Sequence, residues 1–248
     1  MKNQFLLGIL GGLGPMSTFR FCELLTSHTA ATCDADHIDM IVSSRATTPD
    51  RTDFILGRSQ NDPLPVMRQE LHRLENAGAD LIVIPCNTAH YFYQGLQQES
   101  RVPMLNIIEE TVAFLKKGSI NRIGLLATEG TVKSGAYEMA CQKAGIECLV
   151  PSKEEQAVIS NIIYQSVKQN KTADLEAFWR VAKSLQDRGC KMLVLGCTEL
   201  SLLDRSGLPA DLFLDSMDVL AYKTILACQK TPVGFEAKNK LFCDEVAR

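Results

Sequence analysis

The chain has 248 residues, 46% of them hydrophobic, which supports a sizeable core in one large domain or two of about 100–150 residues. Its formal net charge of −3, with Lys116-Lys117 as the one adjacent basic pair, gives no footing for nucleic acid or an anionic membrane surface. No apolar run approaches the ~18–20 residues of a membrane span, and the start, Met1 to Phe5, is too short and too soon broken by glycine for a secretion signal, so a cytoplasmic protein is expected.

In chain order, Phe5 to Leu10 is a near-continuous apolar run ending at Gly11-Gly12, as a buried parallel strand does. Gly11-Gly-Leu-Gly14 is a loop, and Pro15 opens a helix predicted to run to about Thr29. His37 to Val42 reads as a second strand, and Ser43 to Pro63 as a long polar loop. Leu64 to Asn76 is a helix with an apolar face at Val66, Met67, Leu71 and Leu74. Strands at Leu81–Pro85 and Pro103–Ile107 enclose a helical stretch from Thr88 to Gln98, and a helix from Glu109 to Lys117 stops at Gly118.

The pattern then restarts. Asn121 to Leu126 echoes the first strand, and Thr131 to Lys143 is a helix stopping at Gly145. Ile146–Val150 is a strand, Glu154–Lys168 and Ala173–Arg188 are helices, Lys191–Leu195 and Asp211–Leu214 are strands, and Ser216–Lys230 is the last helix. Thr231 to Arg248 shows no periodicity from which a role can be read. This alternation implies an α/β fold of two pseudo-symmetric lobes, each a parallel sheet flanked by helices, with the site in the cleft between them. The expected division is a first lobe over 1–117, joined by the C-terminal segment 216–248, and a second over 118–215.

One phrase occurs twice. Leu74, Gly78, Val83 and Cys86 recur with identical spacing as Leu185, Gly189, Val194 and Cys197. Each copy reads as a helix end, a glycine stop, a buried strand and a cysteine just beyond the strand's carboxyl end, where ligands bind in such folds. Without a secretion signal the nine cysteines are expected to be reduced thiols, and most of them small core residues. Cys86 and Cys197 stand apart because of their position. Inverting the α-carbon of an amino acid without a cofactor needs a base on one face and an acid on the other, and a thiolate with a thiol can supply both. A strand-to-helix turn is expected to lower the pKa of such a thiol through unpaired backbone N–H groups. Asn87, Thr88 and Thr198 add polar side chains able to hold a carboxylate.

Four motifs, Gly11-Gly-Leu-Gly-Pro15, Pro49-Asp-Arg-Thr52, Pro85-Cys-Asn-Thr-Ala-His90 and Gly196-Cys-Thr-Glu199, together resemble the aspartate/glutamate racemase family over roughly residues 5–225. The two cysteine-bearing motifs look more like its aspartate racemase branch, since the glutamate branch typically has Thr-His where this chain has Thr198-Glu199. The resemblance implies a homodimeric, cofactor-independent racemase acting on a small amino-acid substrate, with Cys86 and Cys197 as the acid/base pair. The family pattern assigns the first thiol to the D-enantiomer and the second to the L-enantiomer. It makes Arg51 a ligand of a substrate carboxylate, suited to a bidentate grip, and Lys168 a lysine near the substrate, with Arg45 and Lys153 in reserve.

Gly12 and its loop lack the spacing of a dinucleotide fingerprint and are expected to bring backbone N–H groups to a carboxylate. His90 lies one helical turn beyond Cys86; no second ligand pair gives it a metal site, so a supporting hydrogen bond is expected. Glu199 is expected to orient Cys197 or to begin a helix. Rival readings are a hydantoin racemase or maleate isomerase of the same superfamily, or a non-catalytic amino-acid binding protein.

Overall fold

The computed structural model describes residues 5–204 and 207–243. The first half contains β1 (Leu6–Gly11), α1 (Pro15–Ser27), β2 (Asp39–Ser44), α2 (Arg51–Ile55), α3 (Leu64–Asn76), β3 (Leu81–Val83), α4 (Tyr93–Gln97), β4 (Met104–Leu105) and α5 (Ile107–Lys117). The second contains β5 (Arg122–Leu126), α6 (Glu129–Ser134), α7 (Ala136–Ala144), β6 (Glu147–Leu149), α8 (Lys153–Asn161), α9 (Leu175–Asp187), β7 (Met192–Leu195), β8 (Phe213–Asp215) and α10 (Ser216–Ala227). The strands form two parallel four-stranded sheets in the same order, β2-β1-β3-β4 and β6-β5-β7-β8. The apolar runs in β1 and β5 are explained by this order, because each is flanked by strands on both sides and covered on both faces.

Several predicted elements change in detail. β2 starts and ends two residues later than the hydropathy suggested, because pairing of Gly11 with Ser44 carries it to the end of β1. The predicted long loop over 43–63 holds α2, whose N-cap Asp50 accepts from the Asp53 N–H at 2.9 Å. The predicted 131–143 helix is two helices, broken at Gly135 in the left-handed region (φ 67°). The predicted 154–168 helix leaves α-geometry after Asn161, passing through a π-helical turn over Ile162–Ser166 and a 3₁₀ turn over Val167–Gln169. The predicted 88–98 helix begins as a 3₁₀ turn, Thr88–Phe92, before α4.

One buried cluster runs from Ile9 and Val83 of the first sheet, through α5 and α10, to Leu125 and Val194 of the second. It joins the two sheets at their backs. The stretch after Thr231, unreadable as a pattern, completes this cluster within the described residues: Phe235 and Phe242 are buried against Tyr222, and Phe242 stands 4.6 Å from Phe114 between ring centroids. Among the described residues no helix is long and apolar enough to cross a membrane.

Candidate active site

The two repeated phrases end in two turns that face one cleft. Past β3 and past β7 the chain turns sharply, and Cys86 and Cys197 are both buried at its walls. At the second turn a Cβ on Gly196 would stand 2.6 Å from a Leu125 methyl, so the turn passes close against β5. The cleft is narrow and is completed by Leu13, Arg51, Tyr164, Lys168 and Glu199.

Residues beside each cysteine tie it to the opposite half. Thr198 donates to the Pro85 carbonyl at 3.3 Å. Asn87 donates to Ser216 Oγ at 2.9 Å, and that hydroxyl donates to the Leu195 carbonyl at 2.7 Å. Tyr137 donates to the Asn87 side-chain oxygen at 2.7 Å. Thr88 forms a triangle of hydroxyls with Thr128 and Thr131, each side 2.9–3.0 Å. The polar side chains expected to grip a carboxylate are therefore engaged in fixing the two turns against each other. Their proximity to the cleft was legible in the sequence; their partners, distant along the chain, were not.

The charges around the two thiols differ. Arg51 sits at the first position of α2, 7% exposed, and not in a loop as the polar stretch suggested. Its guanidinium donates to the carbonyls of Leu13 at 2.9 Å and Pro49 at 3.1 Å, while its Nε is buried without a partner. Glu199 accepts from the Cys197 thiol at 3.0 Å and pairs with Lys168 through its other oxygen. Burial pushes both thiols up, against the expectation that helix N-termini would lower them. The turns after the cysteines are short 3₁₀ segments, and one backbone N–H at each sulfur does not offset the loss of water. At Cys86 the Arg51 charge opposes the rise. At Cys197 the Glu199 charge adds to it, and Lys168 opposes. Burial disfavours the charge on Lys168, yet Glu199 and then Cys197 hold its ammonium above the usual lysine range.

His90 supports the first turn. Its Nδ1 is 2.8 Å from the Cys86 carbonyl, and its Nε2 accepts from the Ile107 N–H at 3.2 Å, so the ring is neutral with its proton on Nδ1. Burial pushes its pKa down to about 4. With both nitrogens engaged it has none to offer a metal, and among the described residues no group of three His, Cys, Asp or Glu could hold one. Gly12 departs from expectation: its N–H donates to Thr18 at 2.9 Å, its φ is +83°, and a Cβ there would stand 2.4 Å from the Arg45 backbone nitrogen. Gly14 is the glycine that meets the site, since a Cβ there would lie 2.6 Å from Glu199. Arg45 reaches Glu70 at 3.4 Å, and neither it nor Lys153 lines the cleft.

Asp50, Thr52, Thr128 and Tyr164 line the cleft without having been singled out in the sequence. Asp50 and Thr52 lie within the Pro-Asp-Arg-Thr motif, and Tyr164 precedes Lys168 by four residues, with the ammonium 5.7 Å from its ring centre. Among the other cysteines, Cys141, Cys190 and Cys228 are buried as expected, whereas Cys33 and Cys243 are exposed.

A family profile described as Asp/Glu/Hydantoin racemase matches residues 10–224. The broad specificity amino-acid racemase RacX of Bacillus subtilis is 30% identical over 228 residues, covering 89% of this chain and 96% of that one. A glutamate racemase of Aquifex aeolicus is 33% identical over 156 residues, 59% of this chain and 56% of that one. In structure, the aspartate racemase of Picrophilus torridus is similar with a TM-score of 0.83 at 28% identity, covering 96% of this chain and 99% of its own.

Proposed function

The chain belongs to the Asp/Glu/Hydantoin racemase family, and we propose that it interconverts L- and D-aspartate, with glutamate or a wider set of amino acids also admitted, without a cofactor. The observation that carries this reading is the pair of buried cysteines, brought to one cleft by equivalent turns of two sheets. The four-motif resemblance and the aspartate racemase neighbour support aspartate; the RacX relative supports a wider range.

In the proposed reaction one thiolate removes the α-proton and the opposite thiol delivers its own proton to the other face of the carbanion. The electrostatics favour Cys86 as the first base. Arg51 stabilises a thiolate there, whereas Glu199 keeps the Cys197 proton in place as an acid. After one inversion the roles are exchanged, and the reverse turnover restores them. Arg51, with its free Nε, is the ligand for a substrate carboxylate. Lys168 neutralises Glu199, so that Cys197 in its turn can become the thiolate. The same reading groups residues 1–117 with 216–248 in one lobe and 118–215 in the other, supported by the packing of α10 on α1 and α5.

Incubation with L-aspartate in deuterium oxide tests the proposal. Deuterium enters at the α-carbon while the circular dichroism of the amino acid decays to zero. Tight binding with no exchange would leave only the binding-protein reading.

A further inference from the structure

Outside the cleft, a second pair of thiols stands in contact. α7 closes at Gly145 in the left-handed region (φ 75°), where the Ile146 N–H donates to the Cys141 carbonyl at 2.8 Å. The chain then returns as β6 along the end of that helix. Ile146 is buried, Glu147 is exposed, and Cys148 turns inward again, against the buried cluster that holds Cys141. The turn so brings the two side chains together, each thiol within hydrogen-bonding reach of the other. Cys190 is near enough to act on Cys148 through its charge, yet among the described residues no three His, Cys, Asp or Glu could hold a metal ion.

The hydrogen bond from Cys148 holds the Cys141 thiol below the usual cysteine range and pushes Cys148 up. When the pair loses its first proton, the remaining one is shared, so either sulfur can carry the charge that makes it a nucleophile. Access separates the two. Cys141 has no exposed surface, whereas Cys148 lies partly exposed on the edge strand of its sheet. The same helix reaches the cleft: Tyr137, one turn before Cys141, is buried and donates to the Asn87 side-chain oxygen at 2.7 Å, beside Cys86.

We propose that Cys141 and Cys148 form a reversible redox site, closed to a disulfide by a peroxide, and that its closure slows turnover through Tyr137 and Asn87. The Cys148 thiolate attacks the peroxide; an S–O bond forms, the O–O bond breaks, and hydroxide leaves to be protonated by water's own proton pool. Cys141 then attacks the Cys148 sulfur; the S–S bond forms, the S–O bond breaks, and the departing hydroxide takes the Cys141 proton as water. Two thiols are oxidised, and one hydrogen peroxide is reduced to two waters. A disulfide holds its sulfurs about 2.05 Å apart, inside hydrogen-bond contact, so closure draws the end of α7 toward β6 and shifts Tyr137 with it. The effect on turnover rests on the racemase reading; the disulfide does not.

Stoichiometric hydrogen peroxide, followed by alkylation and tryptic digestion without reduction, tests the site on the full chain. Cleavage after Lys133, Lys143 and Lys153 puts the two cysteines on separate peptides. Peptide 134–143 should be found linked to peptide 144–153, and dithiothreitol should part them. A link from Cys148 to Cys190 instead, or both peptides alkylated while the exposed Cys33 is oxidised, overturns the site. In racemisation of L-aspartate, the oxidised protein should lose roughly ten-fold in kcat, as the turn beside Cys86 is displaced, and regain it with dithiothreitol. Cys148→Ser should match the wild type before treatment and keep its activity after it. Equal loss in Cys148→Ser would place the damage on the catalytic thiols and overturn the link through Tyr137, as would a linked wild type of unchanged kcat. Should the protein racemise nothing, the peptide map still decides whether the disulfide forms.

Discussion

Cys86 and Cys197 occupy the same position in two sheets of identical strand order, and the chains leading to them have the same spacing of Leu, Gly, Val and Cys. What surrounds them diverges. Cys86 looks toward a buried guanidinium and rests on a neutral histidine; Cys197 donates to a carboxylate that is itself paired with an ammonium. The duplicated backbone supplies two equivalent positions, and the unequal neighbours give the two thiols different proton affinities. A racemase needs both properties, because at any moment one group must be a base and the other an acid.

The largest test removes the pair itself. Cys86→Ser and Cys197→Ser should each lower racemisation by roughly a thousand-fold, within the range general acid–base catalysis supplies. If either variant racemises aspartate at the wild-type rate, the two-base reading is wrong. A serine on one side should still allow that variant to exchange the α-proton of a single enantiomer slowly in deuterium oxide. The enantiomer that exchanges would identify which face the surviving thiol serves, and so test the assignment of the first thiol to the D-form.

The sequence made the pair legible because both cysteines follow the strongest local signals in the chain, a glycine stop and a short, wholly apolar strand. α3 falls where its apolar spacing places it, over Leu64–Asn76. What stayed hidden depends on contacts between distant segments. Arg51 reads as a loop residue because α2 has only five residues, too few for a periodic pattern. Gly14 looks like one of several loop glycines until Glu199 is seen beside it. Asn87 looks free to bind substrate until Tyr137 and Ser216, 50 and 129 residues away, are seen to hold its amide. The rise in both thiol pKa values was missed for the same reason, since burial is set by the closure of two sheets over one cleft.

A smaller effect is expected from Arg51→Lys, which keeps the charge beside Cys86 but loses the planar fork. kcat/KM should fall roughly 100-fold, mostly through KM, as a charged hydrogen bond to substrate is lost. A fall confined to kcat would instead make Arg51 a group acting through Cys86 alone. Glu199→Gln sharpens the comparison from the other side. The glutamine can still accept from the thiol, but the charge that pushes Cys197 up is gone and Lys168 remains. Cys197 should then ionise at lower pH. The alkaline limb of the kcat/KM profile, set by the thiol that must stay protonated, should move down further than the acid limb, because Glu199 raises Cys197 by charge and by direct contact but Cys86 by charge alone, with kcat near neutrality reduced about ten-fold. A larger movement of the acid limb would exchange the roles of the two cysteines.

The smallest effect on turnover near neutrality belongs to His90, which has no counterpart under the second turn, and it appears in stability. Its pKa is about 4 in the folded protein, lowered chiefly by burial, against about 6.5 for an exposed histidine. Between those values the unfolded chain binds the proton and the folded one does not, so stability is full above pH 6.5 and declines as pH falls toward 4. Glu75, held near 2 despite burial by its hydrogen bonds to His72 and Arg101, gives up its own contribution only below the ordinary carboxylate value near 4.5. The window from about 6.5 to 4.5 therefore isolates His90 from that carboxylate. Urea unfolding across it should show a loss on the order of 2 kcal/mol. His90→Gln, which keeps a donor near the Cys86 carbonyl and does not titrate, should be less stable at pH 7.5 but flat through the window. A wild-type profile that is equally flat would mean that the imidazole takes up its proton without opening the turn, and that the first cysteine is held by Asn87 and Thr88 alone.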